Sequence, residues 1–363
     1  MPKMSGAERV LKAINRQEPD MIPTFELFID PKVIDGIKPG LSYEDFCEYM
    51  DLDAICYHEL ALDKYEVIDE TKRMYRDQWG AIVQFSPGAF VAVPKQPAIK
   101  SEKELDIYVG PDPDVSSRYE KIEQAVKRFK GKIAVITTVR PSGTIRDSLL
   151  GFTDLCRDMT RNPHMVDRVN KIVNDYYMRY VKNLIDIGVD IICESTDWAI
   201  SQGSMVSPKY TERFMIPGLR QIVQYCHSRG VPCFKHTDGN FWSIFDMILE
   251  TGVDGVNPLE PVVGMDLGEA KAKYGDKVCL MGNVDCGHLL VWGTKDEVRE
   301  AVKECIRKAG KGGGYICMSS NSIHSAVKPE NYIAMVEAIR EYGTYPLSEH
   351  FDNLVEAGSG SWS

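Results

Sequence analysis

The sequence predicts an α/β protein of the TIM-barrel type, a (β/α)8 barrel with an N-terminal helix and a β-hairpin insertion near residues 74–94. Short apolar runs alternate with longer amphipathic runs, which indicates βα units and a parallel sheet. Eight strand candidates occur, at 22–28, 52–57, 132–139, 189–193, 231–236, 253–257, 277–282 and 313–317. Polar residues stand directly after these runs, at the carboxyl ends where a barrel carries its active site.

A doubly wound open sheet is the alternative for such an alternating chain. It is disfavoured because no G-x-G-x-x-G follows the first strand candidate. The triple glycine 312–314 leads into a strand, so it lies at the opposite face and forms no phosphate cradle. We therefore expect a single barrel domain over residues 1–357. Residues 358–363, GSGSWS, have the composition of a linker and a truncated affinity tag.

The first half of the chain begins with helix signals. Ser5 followed by Glu8 predicts a capping box at the start of a helix over 5–15, and Ser42 starts a second helix over 42–50. Residues 74–93 alternate and are rich in Tyr, Trp, Val and Phe, with Pro87 and Gly88 as a turn, which predicts a hairpin that covers one end of the fold. Further helical sequence lies at 102–108 and 116–129.

From residue 132 onward, strands and helices alternate regularly. Thr294 and Glu297 form a second capping-box pattern, and Pro217 predicts a kink in the helix over 209–228. The predicted helices lie at 144–150, 153–159, 164–187, 209–228, 241–249, 266–274, 294–309 and 328–342.

The composition is that of a cytoplasmic globular protein. The 43 basic and 53 acidic residues give a net charge of −10, which argues against nucleic acid or an anionic membrane as the main partner. No apolar run approaches the ~20 residues that cross a bilayer, and the N-terminus lacks the apolar region of a signal peptide. The ten cysteines contain no C-x-x-C pair and are expected to be free thiols.

The fifth strand candidate ends in His236 and Asp238, and Glu260 follows the sixth. Imidazole and carboxylate groups at one barrel mouth suit a metal ion such as zinc, so the three residues are candidate ligands. Each has a plainer alternative. His236 as a neutral imidazole bonded to a backbone carbonyl, Asp238 as a support for His236 or a cap for the next helix, and Glu260 as a surface carboxylate all stay open.

Several segments of the second half together carry a family resemblance. They read HTDG from His236, GVDGVNPLEP from Gly252, LMGNVD from Leu280, GGYIC ending at Cys317, KPENYIAMVEAIREYG from Lys328 and SPKYTERFMIPGLRQIV from Ser207. These segments resemble the uroporphyrinogen decarboxylase superfamily, most clearly over residues 180–345. The resemblance implies a (β/α)8 barrel and one of two activities, either porphyrinogen decarboxylation without a cofactor or methyl transfer with zinc and a corrinoid.

The decarboxylase branch of that superfamily carries an arginine-rich RQAGR motif after the first strand, which binds substrate carboxylates. Here the corresponding place, residues 25–30, reads FELFID and contains no arginine. A substrate with eight carboxylates requires cations in its pocket. The sequence therefore disfavours a true decarboxylase.

The methyltransferase branch binds zinc through a His-x-Cys pair and a cysteine after the last strand. His236 and Cys317 match that pattern as metal ligands, whereas Asp238 replaces the middle cysteine. Core packing is the alternative for Cys317. Because a carboxylate leaves zinc a stronger Lewis acid than a thiolate does, the departure favours cleavage of an ether over activation of a thiol. Asp238 and Glu260 are the predicted catalytic residues.

The resemblance thus implies the first methyltransferase of an anaerobic O-demethylase system, which moves the methyl group of a methoxyaromatic to cob(I)alamin on a partner corrinoid protein. Predicted substrate-binding residues stand at other strand ends, and ordinary packing is the alternative for each. They are Tyr57, His58, Glu194, Asp197, Trp198 and Asn283.

Three other functions stay open. They are a methylcorrinoid-to-thiol methyltransferase of the coenzyme M type, a metal-free lyase of the decarboxylase type, and a non-catalytic barrel that binds a tetrapyrrole. The sequence leaves the methyl donor, the direction of transfer and the complete metal shell undetermined. It also leaves the oligomeric state open, with a homodimer among the alternatives.

Overall fold

The computed structural model describes residues 3–62, 64–87 and 92–347. Its main sheet has seven strands in the order β1-β6-β7-β10-β11-β12-β13, beside a four-stranded and a two-stranded sheet. The strands are β1 Ala54–Tyr57, β2 Glu66–Asp69, β3 Met74–Arg76, β4 Ile82–Gln84, β5 Val93–Gln96, β6 Ala134–Val139, β7 Ile191–Glu194, β8 Ala199–Ile200, β9 Gly203–Ser204, β10 Cys233–His236, β11 Gly255–Asn257, β12 Cys279–Val284 and β13 Tyr315–Ser319.

Helices connect the strands of the main sheet, as expected for βα units. They are α1 Gly6–Ile14, α2 Pro31–Ile37, α3 Tyr43–Tyr49, α4 Glu59–Leu62, α5 Glu102–Ile107, α6 Glu120–Phe129, α7 Pro141–Gly143, α8 Phe152–Arg161, α9 Pro163–Ile187, α10 Pro208–Phe214, α11 Ile216–Ser228, α12 Phe245–Leu249, α13 Leu267–Tyr274, α14 Leu289–Trp292, α15 Lys295–Ala309 and α16 Pro329–Tyr342. A π-helix spans Thr144–Leu149, and 3-10 turns span Ser116–Arg118, Trp242–Ile244 and Pro261–Val263.

The described residues form two compact units. The first contains the described parts of Met1–Ile55, Gly131–Ala134 and Asp254–Ser363, and the second contains those of Cys56–Lys130 and Val135–Val253. The expectation of a single domain over 1–357 stays a prediction. The predicted linker and tag remnant, 358–363, lies outside the described residues.

Parallel pairing within each unit confirms the predicted α/β class. In the second unit, β7 pairs with β6 on one side and with β10 on the other, and Lys235 stands opposite Glu194. In the first unit, β12 pairs with β11 and β13. The strands of the main sheet are buried along their whole lengths, which explains why they read as continuous apolar runs.

The prediction of a regular first strand at 22–28 was wrong. That part of the first unit has only isolated bridges at its edges, Met21 with Thr344 and Ile29 with Ile323. The segment nevertheless takes a strand position, because the carbonyl of Thr24 accepts the Asp53 N–H at 2.9 Å and that of Pro23 accepts the Cys317 N–H at 3.1 Å. Pro23 itself lacks an N–H, so a continuous ladder cannot form through it.

The predicted helix starts are confirmed where polar caps were identified. Ser5 and Glu8 make both hydrogen bonds of a capping box, and so do Thr294 and Glu297. The helix predicted over 209–228 is interrupted at Met215, two residues before Pro217, since α10 ends at Phe214 and α11 begins at Ile216.

The insertion is larger than the predicted hairpin. Strands β2 to β5 form a four-stranded antiparallel sheet in sequence order. Gly88 of the predicted turn lies outside the described residues. The helices α2 and α14 and the small β8–β9 sheet had no counterpart in the sequence prediction. All ten cysteines are free thiols. Across the described ranges, the helices lack the combination of length and apolar character that crossing a membrane requires.

Candidate metal centre

The neighbouring strands β7 and β10 bring an imidazole and two carboxylates together in the second unit. Nε2 of His236 lies 3.3 Å from Oδ1 of Asp238 and 3.6 Å from Oδ1 of Asp197. One ligand atom from each residue lies within 4.8 Å of the others. His236 and Asp238 were predicted metal ligands, whereas Asp197 was predicted to contact substrate. The structure places Asp197 in the same group.

Two backbone contacts hold the loops that carry these side chains. The Asp238 N–H donates to Oδ1 of Asp197 at 3.1 Å, and the Trp198 N–H donates to Oγ1 of Thr237 at 2.8 Å. Gly239 follows with a φ of +82°, and a Cβ there would lie 2.6 Å from the backbone nitrogen of Ile200. Glycine is therefore required for the loop after β10 to lie against β8.

The electrostatic surroundings keep Asp197 ionised. Burial alone would raise the pKa of its carboxyl, but His236, the Asp238 N–H, Arg146 and Lys235 together lower it below the usual value. A carboxylate that is ionised at neutral pH is ready to bind a cation without first losing a proton.

His58, a predicted substrate contact, is a neutral imidazole beside the group. Burial, followed by the charges of Arg140 and His236, lowers its pKa to about 3. The Leu60 N–H donates to Nδ1 of His58 at 3.3 Å, so the ring proton is on Nε2. His58 thus carries no positive charge at neutral pH.

The donor set of the three side chains fits a divalent metal ion. One imidazole nitrogen and two carboxylate oxygens are ligands that zinc accepts, and three protein ligands leave a coordination position for water or substrate. The side chain of His236 is 11% exposed and those of Asp197 and Asp238 are each 33% exposed. The two carboxylates are therefore partly accessible to solvent, whereas the imidazole of His236 is mostly buried.

The sequence pattern did not identify Lys235, the charged residue next to His236 in the chain. Lys235 and Glu194 are both completely buried, and Nζ of Lys235 lies 2.5 Å from Oε2 of Glu194. The signal was present, because a lysine and a glutamate stand near the ends of two apolar strands that the barrel order makes neighbours. Glu194 was a predicted substrate contact, and that role stays a prediction for a side chain that is 0% exposed.

A cavity of about 610 Å³ opens beside Asp197. Its apolar walls come from Phe152, Ile200 and Met205, and the insertion contributes Pro94 and neighbouring residues. Arg146 also lines it and donates to the backbone carbonyl of Asp197 at 3.0 Å. A mostly apolar cavity next to a few polar groups is typical of a small-molecule site.

The predicted substrate contacts Trp198 and Tyr57 are not among the residues that line this cavity. Trp198 is 1% exposed and donates through Nε1 to Oγ of Ser142 at 2.8 Å, and Tyr57 is 7% exposed. Their contacts with substrate stay predictions. A groove of about 890 Å³ along α6 and α9 is larger than the cavity beside Asp197, but charged helix residues line it and it includes none of the predicted site residues.

The remaining predicted site residues belong to the first unit. Oε1 of Glu260 accepts a hydrogen bond from Nδ2 of Asn321 at 3.3 Å. Nδ2 of Asn283 donates to the carbonyl of Met265 at 3.3 Å. Cys317 is fully buried, and burial together with the neighbouring Cys305 raises the pKa of its thiol well above the ordinary value. The ligand roles of Glu260 and Cys317 and the substrate contact of Asn283 stay predictions.

A family model described as uroporphyrinogen decarboxylase (URO-D) matches residues 68–342. The uroporphyrinogen decarboxylase of Myxococcus xanthus is 23% identical over 355 residues, which cover 93% of this chain and 97% of that protein. That of Psychromonas ingrahamii is 24% identical over 256 residues, which cover 67% of this chain and 69% of that protein.

Among solved structures, a methyltransferase from Methanosarcina mazei superposes with a TM-score of 0.72 at 16% sequence identity. The superposition covers 93% of this chain and 99% of that one. At such low identity the likeness extends to the fold alone.

Proposed function

This chain belongs to the uroporphyrinogen decarboxylase family, and we propose that it is a metal-dependent methyltransferase of that family. The reaction is demethylation of a phenyl methyl ether, with transfer of the methyl group to cob(I)alamin on a partner corrinoid protein in an anaerobic O-demethylase system. The observation that carries this proposal is the group of Asp197, His236 and Asp238 at the ends of two neighbouring strands.

The chemistry of the three ligands favours an oxygen substrate. Bound Zn²⁺ supplies Lewis acidity that draws charge from an ether oxygen and so stabilises a departing phenolate. Two carboxylates and one imidazole donate less charge to the metal than thiolates do, which suits an ether better than a thiol. The same group therefore argues for ether cleavage over the alternative transfer to a coenzyme M-like thiol.

The chain's own residues bind and orient the substrate. The carboxylates of Asp197 and Asp238 and the imidazole of His236 would hold the metal, and the cavity beside Asp197 provides an apolar place for an aromatic ring. Phe152 and Met205 are suited to contact the ring faces. These residues would thus orient the methyl carbon towards solvent, where cob(I)alamin on the partner would supply the nucleophile that accepts the methyl group, and the phenolate product would take its proton from water.

The decarboxylase reaction is the second candidate, because the two relatives compared above carry that name. Against it stands the segment 25–30, which lacks arginine. Glu26 in that segment is completely buried, and its oxygens accept hydrogen bonds from the N–H and the hydroxyl of Ser319. A buried carboxyl in place of cations does not favour a substrate that carries many carboxylates.

A methyl-transfer assay tests the proposal. Purified protein is stripped with a chelator, reloaded with zinc and incubated with cob(I)alamin and a panel of methoxyaromatics, while methylcobalamin formation is followed by absorbance. We expect turnover only in the reloaded protein, and more than about a 100-fold loss in His236→Ala. His324→Ala is the matched control, since His324 contacts the carbonyl of Cys286 in the first unit.

Two outcomes contradict the proposal. The first is full methyl transfer by protein that elemental analysis shows to be free of metal. The second is turnover of uroporphyrinogen by the stripped protein with no methyl transfer in any state, which establishes the decarboxylase instead.

A further inference from the structure

We infer that Lys235 is a positioning residue, whose buried ammonium group holds the ends of β7 and β10 in the geometry that binds the metal. The inference rests on the metal site of the proposed function and adds a residue to it. Lys235 reaches neither the metal nor the substrate. It acts through the backbone next to two of the three candidate ligands.

The ammonium group has two carbonyl acceptors and one ion-pair partner. Nζ of Lys235 lies 2.5 Å from Oε2 of Glu194, donates to the carbonyl of His236 at 2.7 Å, and donates to the carbonyl of Thr196. It also lies 4.2 Å from the centroid of the Trp198 ring, which adds a cation–π contact. Two donated hydrogen bonds and one ion pair therefore hold the ammonium group between the two strand ends.

These partners lie next to the metal ligands. The carbonyl of Thr196 belongs to the peptide bond that leads into Asp197, and the other carbonyl belongs to His236 itself. Lys235 therefore links the Thr196–Asp197 peptide to the carbonyl of His236. Because metal sites require their ligands within about 0.5 Å of the working geometry, such a tie affects affinity directly.

The ion pair is a poor device for stability alone. Both side chains are 0% exposed, so both lose their hydration, and apolar side chains of similar size often stabilise a protein as well or better. Neither oxygen of Glu194 accepts a hydrogen bond from another group in the described part of the chain. The Lys235–Glu194 pair is better explained as an interaction that selects one arrangement of the ends of β7 and β10.

The register of the sheet explains why this pair forms. Lys235 stands opposite Glu194 in the parallel pairing of β10 with β7; Glu194 is the last residue of β7, and Lys235 is the last but one of β10. The lysine side chain has the length to pass its own strand end and reach both carbonyls. A shorter cation, or one on the opposite face, lacks that reach.

Cobalt titration distinguishes this role from a merely structural one. Metal-free protein is titrated with Co²⁺, whose visible absorption bands report ligand number and geometry, and the melting temperature is measured on the same samples. We expect the Lys235→Met variant to melt lower and to bind Co²⁺ about 10- to 100-fold more weakly, as other supporting residues of metal sites do. Glu194→Gln keeps the two carbonyl contacts and should bind Co²⁺ within about threefold of wild type.

The decisive sample is the double variant Lys235→Met with Glu194→Met. An apolar pair removes the uncompensated charge, so the melting temperature should return towards that of wild type. The weak binding and the altered cobalt spectrum should remain, because the tie between the strand ends is still missing. A double variant with the affinity and spectrum of wild type overturns the positioning role.

The matched control is Lys271→Met in the first unit. Nζ of Lys271 donates to the carbonyl of Gly313 at 2.6 Å, so this variant also loses a lysine-to-carbonyl contact. It should melt lower with unchanged Co²⁺ affinity. If wild type itself binds no Co²⁺, the metal site of the proposed function fails, whereas wild-type binding that survives in the double variant refutes only the role of Lys235.

Discussion

Nε2 of His236 lies 3.6 Å from Oδ1 of Asp197, although the two residues follow different strands of the parallel sheet. The contact arises because β7 and β10 are neighbours, with Glu194 at the end of β7 opposite Lys235 of β10. Asp238 completes the group through its own carboxylate, 3.3 Å from the same imidazole nitrogen. Three side chains from two strand ends therefore suffice to define a candidate metal centre.

The Cys317→Ala variant tests whether the cysteine predicted from the family resemblance is a ligand. Cys317 is fully buried and is not among the three side chains of the candidate metal centre, Asp197, His236 and Asp238. We expect the variant to keep its zinc, as measured by elemental analysis after gel filtration. The loss of a small buried side chain should cost about 1 kcal/mol in the free energy of unfolding.

Cys305→Ala is the control for the Cys317 experiment, because Cys305 is also buried and its Sγ contacts Oδ1 of Asn283 at 3.4 Å. If Cys317→Ala loses zinc while Cys305→Ala retains it, Cys317 is a ligand. The metal shell then contains a thiolate, as the family pattern implies.

The sequence predicted more of the fold than of the site. Capping patterns at Ser5 and Thr294 depend only on nearby residues, and both were confirmed. The irregular segment at 22–28 was not predictable from its apolar pattern, since its partners, such as Asp53 and Cys317, are distant in sequence. Local signals fix helix ends, whereas pairing between distant segments decides whether an apolar run becomes a strand.

In the candidate site too, contacts between near neighbours in the sequence were predictable and contacts between distant segments were not. His236 and Asp238 are two residues apart, so the sequence alone predicted that their side chains lie close together. Asp197 was predicted only as a pocket residue, because its distance to His236 depends on the pairing of two strands. Lys235 was overlooked since a charged residue in an apolar run acquires meaning only from its partner, Glu194, in the register.

Stability should fall as the pH rises because of Glu26. Burial raises the pKa of this carboxyl to about 8, against the hydrogen bonds from Ser319, which lower it. In the unfolded chain the Glu26 carboxyl ionises near pH 4.5. Between pH 4.5 and about 8, the folded state therefore binds a proton that the unfolded state lacks. The stabilisation is therefore complete below pH 4.5 and is lost as the pH rises to about 8.

Urea unfolding at pH 5 and pH 8.5 measures this effect. We expect the Glu26→Gln variant to lose less stability than wild type over that interval, by an amount on the order of 3 kcal/mol. Asp266→Asn is the control, because the Glu269 N–H and Lys308 lower the pKa of Asp266, and its contribution changes only in more acidic solution. Equal losses in wild type and Glu26→Gln show that Glu26 is already ionised at pH 5.

The Phe152→Ala variant tests whether the cavity beside Asp197 holds the substrate ring. Phe152 is 46% exposed and lines this cavity, so its ring is available to a ligand. Losing that apolar contact should raise KM for a methoxyaromatic about tenfold, with kcat within about twofold of wild type. Steady-state kinetics on the zinc-loaded protein measure both constants.

Ile107→Ala is the control for the Phe152 experiment, since Ile107 is 81% exposed and is not among the residues that line the cavity. An unchanged KM in Phe152→Ala places the substrate ring elsewhere in the protein.

The Gly239→Ala variant should damage the candidate metal centre through the backbone. Gly239 has a φ of +82°, and an added Cβ would lie 2.6 Å from the backbone nitrogen of Ile200. Gly230 is the matched control, with a φ of +70° and open space around the added Cβ. Gly230→Ala should therefore cost about 1 kcal/mol from backbone conformation alone.

Gly239→Ala adds a clash with backbone to that conformational cost, so its loss of stability should reach about 3 kcal/mol or more. The clash displaces the loop that carries Asp238, so Co²⁺ affinity should fall in Gly239→Ala and stay unchanged in Gly230→Ala. Urea unfolding and cobalt titration of the two variants give both quantities. Equal stability losses with wild-type cobalt binding in both variants indicate that the loop after β10 relaxes without moving Asp238, and that the packing against Ile200 does not define the site.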